Sequence, residues 1–357
     1  MPSELLRALP DPASFTCPVP VPAHDRIVMG HGSGGRLSAN LLRDVFLPRF
    51  SNPVLDRMDD QAVFAIGGSQ VAFTTDSFVV QPLFFPGGDI GSLAVHGTVN
   101  DLAMSGAVPL YLSAAFIAEE GLPIGQLHRI AESMAEAAEA AGVLIVTGDT
   151  KVVERGKGDG LFINTTGIGI VPAGLRLSAS EVRTGDLVIL SGCIGDHGIA
   201  IMASRAGLEF ETTIQSDSAP LHGLVAEMLA ASRRIRCMRD PTRGGLSSSL
   251  NEIAAMSGVA IEIVEGRIPV RDEVRGACEL LGLDPLYVAN EGKLIAVVAP
   301  DAADEVLAAM RSHPLGRDAA VIGHALGGEP GLVTMKTAFG STRIVELLPG
   351  DQLPRIC

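Results

Sequence analysis

The 357-residue sequence has no tryptophan and only two tyrosines, and its 27 Lys and Arg are outnumbered by 41 Asp and Glu. The resulting net charge of −14 argues against a general nucleic-acid or anionic-membrane binder, whose electrostatic footprint is basic. No apolar run approaches the roughly 18 residues needed to span a bilayer. Cysteine is sparse as well. The five, at positions 17, 193, 237, 278 and 357, are odd in number and widely spaced with no CxxC pair, which fits a reducing cytosol better than a disulfide framework or a zinc site. Residues 1–24 carry acids and prolines instead of a basic region followed by an apolar stretch, so no secretory leader is expected and the protein is placed in the cytoplasm.

What is present is glycine and proline, 41 and 22 residues, which implies many tight turns and backbone-lined sites. Length alone suggests two domains, at roughly 150 residues each. Residues 1–24 read as an irregular arm. The glycine cluster His31-Gly32-Ser33-Gly34-Gly35 precedes a helical pattern with Leu37, Leu41, Leu42, Val45 and Phe46 on one face. Strand-like runs follow at 62–66 and 71–75, a helix over 89–106 and a strand at 111–117. Ile124, Leu127, Ile130, Ala131, Met134, Ala138 and Ala141 recur at helical spacing, and Gly142 stands where a helix stops. Residues 143–147 read as a buried strand, and the Pro/Gly stretch near 171–174 as a domain boundary. In the second half, 187–190 and 294–298 are strand-like, whereas 221–229, 246–256 and 302–310 are helix-like. The chain therefore reads as α/β and α+β, in two halves, with a polar tail over 349–357 that ends in cysteine.

Acids concentrate at predicted strand ends in the first half: Asp59-Asp60, Asp76, Asn100-Asp101 on a helix, and Gly148-Asp149-Thr150-Lys151 after a strand. Carboxylates gathered at one sheet rim repel unless a cation neutralises them, and hard oxygen ligands suit Mg²⁺, which fills its shell with water and phosphate oxygens. The set reads as a metal–nucleotide site; singly, each Asp also suits a cap or turn. The glycine cluster before a helix offers backbone N–H groups to phosphate, although it matches neither common glycine-rich phosphate motif and also reads as a flexible turn. Arg239-Asp240-Pro241-Thr242-Arg243-Gly244-Gly245 at a helix start combines phosphate-binding cations with an acid, or simply caps the helix. Asn290-Glu291-Gly292-Lys293 is either a polar turn or the seat of a catalytic carboxylate. Cys357 is the unusual residue. A thiol on a nine-residue tail, with a reach on the order of 30 Å, reads as a swinging nucleophile able to carry an acyl group, or as an incidental terminal residue.

Ten stretches together resemble the HypE family of hydrogenase maturation proteins, which make the cyanide ligands of nickel–iron hydrogenases. They are HGSGG (31–35), TTDSFVVQPLFFPGGDIG (74–91), GTVNDLAMSGA (97–107), AEEGLP (118–123), VTGDTKVVERG (146–156), FINTTGIG (162–169), GDHGIAIM (195–202), RDPTRGGL (239–246), PLYVANEGK (285–293) and LPRIC (353–357). More widely the chain is similar to the PurM-like ATP-dependent superfamily. The resemblance implies an N-terminal α/β domain over 25–172 that binds ATP and pairs in a homodimer, a C-terminal α+β domain over 173–347, and a mobile tail over 348–357.

The chemistry so implied is dehydration. The carbamoyltransferase HypF would load a carbamoyl group on Cys357; ATP would phosphorylate the amide oxygen so that phosphate leaves, giving a protein thiocyanate, ADP and phosphate. The HypC–HypD iron scaffold would receive the cyanide. By resemblance, Lys151 and Glu291 are the bases that remove the two N–H protons. Asp60, Asp101 and Asp240, with Asp59, would hold Mg²⁺. Gly32, Ser33, Gly34, Gly35, Asp76, Asn100, Asp149, Thr150, Asn164, Arg239 and Arg243 would contact nucleotide. Selenophosphate synthesis is one alternative, but that resemblance carries a reactive cysteine or selenocysteine in the glycine loop, where this chain has His31 and Ser33. A non-catalytic assembly scaffold and a plain small-molecule kinase are the others.

Overall fold

The computed structural model describes residues 26–206, 214–348 and 355–357. The arm at 1–24 and most of the tail, including Pro349 and Pro354, lie outside the described residues. No described helix is long and apolar enough to cross a membrane.

The first sheet has five strands in the order 62–66, 69–78, 161–171, 108–119, 144–153. All neighbours are antiparallel except the last pair. That parallel pair is bridged by the helix Ile124–Ala140, since parallel strands need a crossover. The helix Ile90–Met104 lies against the central strands; its N-terminus is held by Asp89, whose carboxylate accepts from the Gly91 and Ser92 amides. Alternation on the strand Leu161–Val171 buries every second side chain under these helices.

Among the described residues nothing covers the other face of this sheet. Phe73, Tyr111, Ile117, Ile168 and Ile170 are exposed on it or at its edge. One expectation is corrected here. The run 143–147 is not a buried strand: the strand extends over Leu144–Val153 and nearly all of it is exposed, with Leu144 at 64%. Its first half is apolar, but it is an edge strand with no cover among the described residues. The same extension places Asp149, Thr150 and Lys151 within the strand instead of after it.

The second sheet has seven strands in the order 342–344, 333–336, 260–264, 320–326, 187–190, 295–298, 235–239. Its central strands Leu187–Leu190 and Ile295–Val298 are continuously apolar and buried on both faces. Helices 222–231 and 303–312 cover one face, and helix 245–257 the other.

The last three residues dock through one isolated antiparallel bridge, entered from Arg355 at a left-handed φ of 55°. Ile356 pairs antiparallel with Val80, the Val79 amide donates to a Cys357 carboxyl oxygen at 3.0 Å, and the Gln81 amide donates to the Arg355 carbonyl at 3.2 Å. The Ile356 side chain, 4% exposed, joins a core containing Phe78, Val80 and Ile199. This docking delivers the chain terminus to the seam between the two sheets.

Candidate active site

A cavity of about 230 Å³ lies on that seam, lined by Asp60, Thr75, Asp76, Gly97, Asp101, Asp240, Thr242, Arg243, Glu291 and Cys357. Asp76 comes from a strand of the first sheet and Asp101 from helix 90–104, whereas Asp240, Arg243 and Glu291 come from turns beside the second sheet. The turn carrying Asp240 and Arg243 requires its glycines. Gly244 and Gly245 have φ of 78° and 60°, and a Cβ on Gly245 would sit 2.7 Å from the Leu286 and Val288 carbonyl oxygens. The expected glycine cluster folds against the same turn: Ser248 Oγ donates to the Gly34 carbonyl at 3.0 Å, and a Cβ on Gly34 would lie 2.6 Å from the Arg243 carbonyl oxygen.

Five carboxylic acids and a thiol share this wall with Arg243, and Arg239 stands behind Asp60. Burial is the first cause of the resulting pKa shifts of the acids and the thiol; mutual repulsion adds to it, and the arginines oppose it at Asp60, Asp76 and Cys357. Burial, with Asp240, Asp76 and Asp60 nearby, holds Asp101 well above the usual carboxylate range. Burial and Asp60 do the same for Asp240, and Asp60 itself is pushed by burial to about 6 against the pull of Arg239. Glu291 is raised well above its ordinary value by burial and then by Asp240, Asp76 and Asp217. One of its oxygens is fully buried with no hydrogen-bond partner among the described residues. Burial also raises the Cys357 thiol, with Arg243 opposing that rise and the neighbouring Glu291 adding to it. The cavity is therefore short of positive charge.

The arginines divide the work. Arg239 is spent on protein: Nε lies 3.2 Å from Asp60, Nη1 bonds Glu252, and Nη2 donates to the Met58 carbonyl at 2.6 Å. Arg243 is freer, 3.9 Å from Asp76, and points its charge at Cys357 and Glu291. Two further cavities adjoin at Asp59 and Asp60: a mostly apolar one of about 460 Å³ that includes Gly34, Gly35, Leu42, Met58 and Met256, and one of about 350 Å³ along Met58, Gln61 and Thr75. Asp59 lies there, accepting from Ser178 Oγ at 3.1 Å, and not on the Cys357 wall.

Other expected residues are elsewhere in this chain. Lys151 and Asp149 form an exposed ion pair at 2.6 Å on the edge strand, with Thr150 between them. Asn164 lies on the bare face of the first sheet, donating to the Asp76 carbonyl at 2.8 Å and to Ser77 Oγ at 3.0 Å. Asn100 is fully buried and bonded to the backbone of Ala219, Glu291 and Leu221; it shapes the Glu291 turn from outside the cavity. Gly32 and Ser33 begin the glycine turn but do not line the cavity. Thr75 and Thr242 line it and were not singled out as site residues, although both lie inside quoted motifs.

Residues 58–171 match the AIR synthase related protein N-terminal domain, and residues 183–335 its C-terminal domain. The chain is 60% identical over 331 residues to the carbamoyl dehydratase HypE of Azotobacter vinelandii, covering 93% of this chain and 97% of that protein. The chain belongs to the carbamoyl dehydratase HypE family of enzymes. Solved HypE structures share its fold. A HypE–HypF complex aligns with TM-score 0.82 and 50% identity over 86% of this chain and 99% of that one. A HypE in complex with ATP aligns with TM-score 0.79 and 49% identity over 92% and 98%.

Proposed function

We propose that this HypE-family chain carries a carbamoyl group on Cys357 and dehydrates it to a thiocyanate at the expense of ATP, supplying cyanide for hydrogenase maturation. The observation that carries the reading is the docked terminus: Cys357 lines one cavity together with the carboxylic acid of Glu291 and the guanidinium of Arg243. A scaffold has no need of this arrangement, and a plain kinase has no need of the thiol.

The atoms balance as follows. The thiocarbamate S–C(=O)–NH₂ attacks the γ-phosphoryl through its oxygen, the bond to ADP breaks, and one N–H proton leaves. The imidate then expels phosphate and its second N–H proton, giving S–C≡N. Glu291, lining the cavity with the thiol, is the base for one of these protons. Burial makes its carboxylate a stronger base whenever it is ionised. Arg243 steadies the charge building on the transferring group. The apolar cavity behind Asp60 suits a purine ring, which places the triphosphate toward Cys357 and past the Gly34–Gly35 turn. The carboxylates fit Mg²⁺ by donor chemistry: they are hard oxygens, crowded, and short of counter-charge. Among the described residues no three or more His, Cys, Asp or Glu side chains are grouped so as to hold a metal ion by themselves, and Mg²⁺ commonly takes one or two protein carboxylates with phosphate and water. Bound there by Asp60, Asp101 and Asp240, it would neutralise phosphate charge.

We assign residues 25–172 and 173–347 as the two domains. The bare apolar face of the first sheet supports a homodimer, and a second copy there would cover the strand carrying Lys151, bringing it and Asn164 to a shared cleft. HypF as donor, the HypC–HypD scaffold as acceptor and a cytoplasmic location complete the reading. Intact-protein mass tests it: with the carbamoyl donor system the chain gains one carbamoyl group, and only with ATP does it then lose one water. Water loss without ATP overturns the reading. Lys151→Ala is expected to stop at the carbamoylated stage.

The metal assignment is checked by heat. Protons compete with Mg²⁺ for carboxylates whose pKa is raised in the folded protein. As pH rises from 5 to 7.5, through the value of about 6 at Asp60, the metal-free acids release protons and the ion binds more tightly. The rise in Tm produced by millimolar Mg²⁺ on chelator-treated protein is therefore larger at pH 7.5 than at pH 5. An increment independent of pH, or one retained by Asp101→Asn, removes these carboxylates as ligands.

A further inference from the structure

In an extended chain successive carbonyls point to opposite sides. The carbonyl of Arg355 and a carboxyl oxygen of Cys357 both point at the 79–81 segment and accept its amides. The Ile356 carbonyl points the other way, into protein, where strand pairing cannot satisfy it. Leaving it unpaired would be costly. It meets His197 instead: Nε2 lies 2.6 Å from the Ile356 oxygen.

The histidine is fully buried, and its position is fixed from three sides. Its Nδ1 lies 2.8 Å from Ser216 Oγ. The Phe85 ring stands edge-on to it, 5.7 Å between centroids. Its own helix begins one residue earlier, at Asp196. The proton directions follow by elimination. A carbonyl only accepts, so Nε2 carries the proton and donates. Nδ1 then accepts, so Ser216 Oγ–H donates to it, while Ser216 Oγ takes the Ser218 amide at 3.1 Å. Burial keeps the ring neutral, consistent with this tautomer.

The same short segment also holds Glu291. Asp217, between the two serines, accepts the Glu291 amide at 3.0 Å and the Lys293 ammonium at 3.0 Å, and a Cβ on Gly292 would lie 1.8 Å from the Asp217 carbonyl oxygen. Residues 216–218 are thus joined to the tail through His197 and to the Glu291 turn through Asp217. That segment links the two directly, beside the separate holds of residues 79–81 on the tail and of Asn100 on the Glu291 backbone.

We infer that His197, oriented by Ser216, is the positioning residue that latches the loaded terminus: it recognises the backbone carbonyl preceding the terminal cysteine and so holds the sulfur-borne group in register with Glu291. The latch reads backbone and leaves the cargo untouched, so it serves the thiol, the thiocarbamate and the thiocyanate alike. Release for loading or for unloading breaks the His197 hydrogen bond together with those that Val79, Gln81 and Arg205 donate to the tail backbone and the Arg355–Asp159 pair, and it exposes Ile356. This inference rests on the proposed dehydration for its catalytic consequence, but the docking itself does not depend on that chemistry.

Two variants separate donor from volume. His197→Phe keeps a flat ring and removes the donor; His197→Gln keeps an N–H near the place of Nε2. Docking is read without activity, from the rate at which iodoacetamide alkylates Cys357, followed on the C-terminal peptide by mass. His197→Phe is expected to alkylate roughly 5- to 100-fold faster than wild type, the range that a lost buried hydrogen bond covers, and His197→Gln within about threefold. On chain already carbamoylated, His197→Phe should dehydrate slower by a similar factor, with its carbamoyl acceptance not reduced and its Tm transition still cooperative. Alkylation of His197→Phe at the wild-type rate overturns the latch, as does a Gln variant as fast as the Phe variant. If wild type never loses water but the alkylation contrast holds, the dehydration reading falls and the latch stands. If wild type dehydrates and both variants match it in both readouts, the latch falls alone.

Discussion

Cys357→Ala is expected to accept no carbamoyl group, while ATP binds within about threefold of wild type. The thiolate is the only strong nucleophile that the described cavity offers, since Thr75 and Thr242 bear hydroxyls that need a far stronger base. The substitution removes a single sulfur from the wall and leaves Arg243 with Asp76 3.9 Å away, so the groups proposed to meet phosphate stay in place. It also removes one partner of the crowded acid set; because burial and Glu291 both raise the thiol, its loss relieves rather than strains the pocket. Intact mass after incubation with the donor, and ATP titration by calorimetry, check both halves. A carbamoyl adduct on the alanine variant would falsify the assignment of the terminal thiol as carrier.

Glu291→Gln produces the second large effect, at a later stage. The amide fills the same volume, but it takes no proton. Loading on Cys357 proceeds, and dehydration in a single turnover slows by about 10²–10⁴, the usual worth of a positioned general base. The fold is not at risk: the backbone of residue 291 is what Asn100 and Asp217 hold, at 3.1 and 3.0 Å. Replacing a buried acid raised by its neighbours with a neutral amide leaves Tm unchanged or higher. Pre-carbamoylated protein mixed with ATP and sampled by mass gives the rate directly. A rate within threefold of wild type assigns the proton to another group, with Lys151 next in line; a drop in Tm of several degrees attributes the loss to packing instead.

Much of the site is legible as residue types in segments. Asp60, Asp76, Asp101 and Asp240 stand near element ends in the sequence, and the structure gathers all four with Glu291 and Cys357 around one cavity. The helix over 124–140 is legible from its apolar spacing and its closing glycine, because a single face must be buried and Gly142 takes the φ of 65° that ends it. The strand after it was legible as apolar but not as exposed. Hydrophobicity says that a surface will be covered, not by what, and Leu144–Val153 lies on the sheet edge without cover among the described residues.

Side-chain direction was less legible. Lys151 and Glu291 look equivalent in sequence, each a charged residue in a glycine-containing turn motif. One faces solvent beside Asp149 on an edge strand, and the other is 3% exposed. The strand carrying Lys151 is exposed along nearly its whole length, so Lys151 faces solvent in either register, whereas the Glu291 turn is folded inward by Asn100 and Asp217, residues far away in sequence. Asn100 and Asp101 show the effect of direction on a helix, where adjacent residues diverge by about 100°: Asp101 lines the cavity, and Asn100 ties down the backbone behind it. His197 was invisible as a site residue because its partners, Ser216 and Ile356, lie 19 and 159 residues away.

By itself the sequence determined the chemical inventory: hard oxygen donors, two arginines, a glycine-rich turn and a thiol on the final residue. Tertiary structure alone decided which of these meet. It did so because the last three residues find their missing hydrogen bonds on the edge offered by residues 79–81, and this pairing carries the sulfur to Glu291.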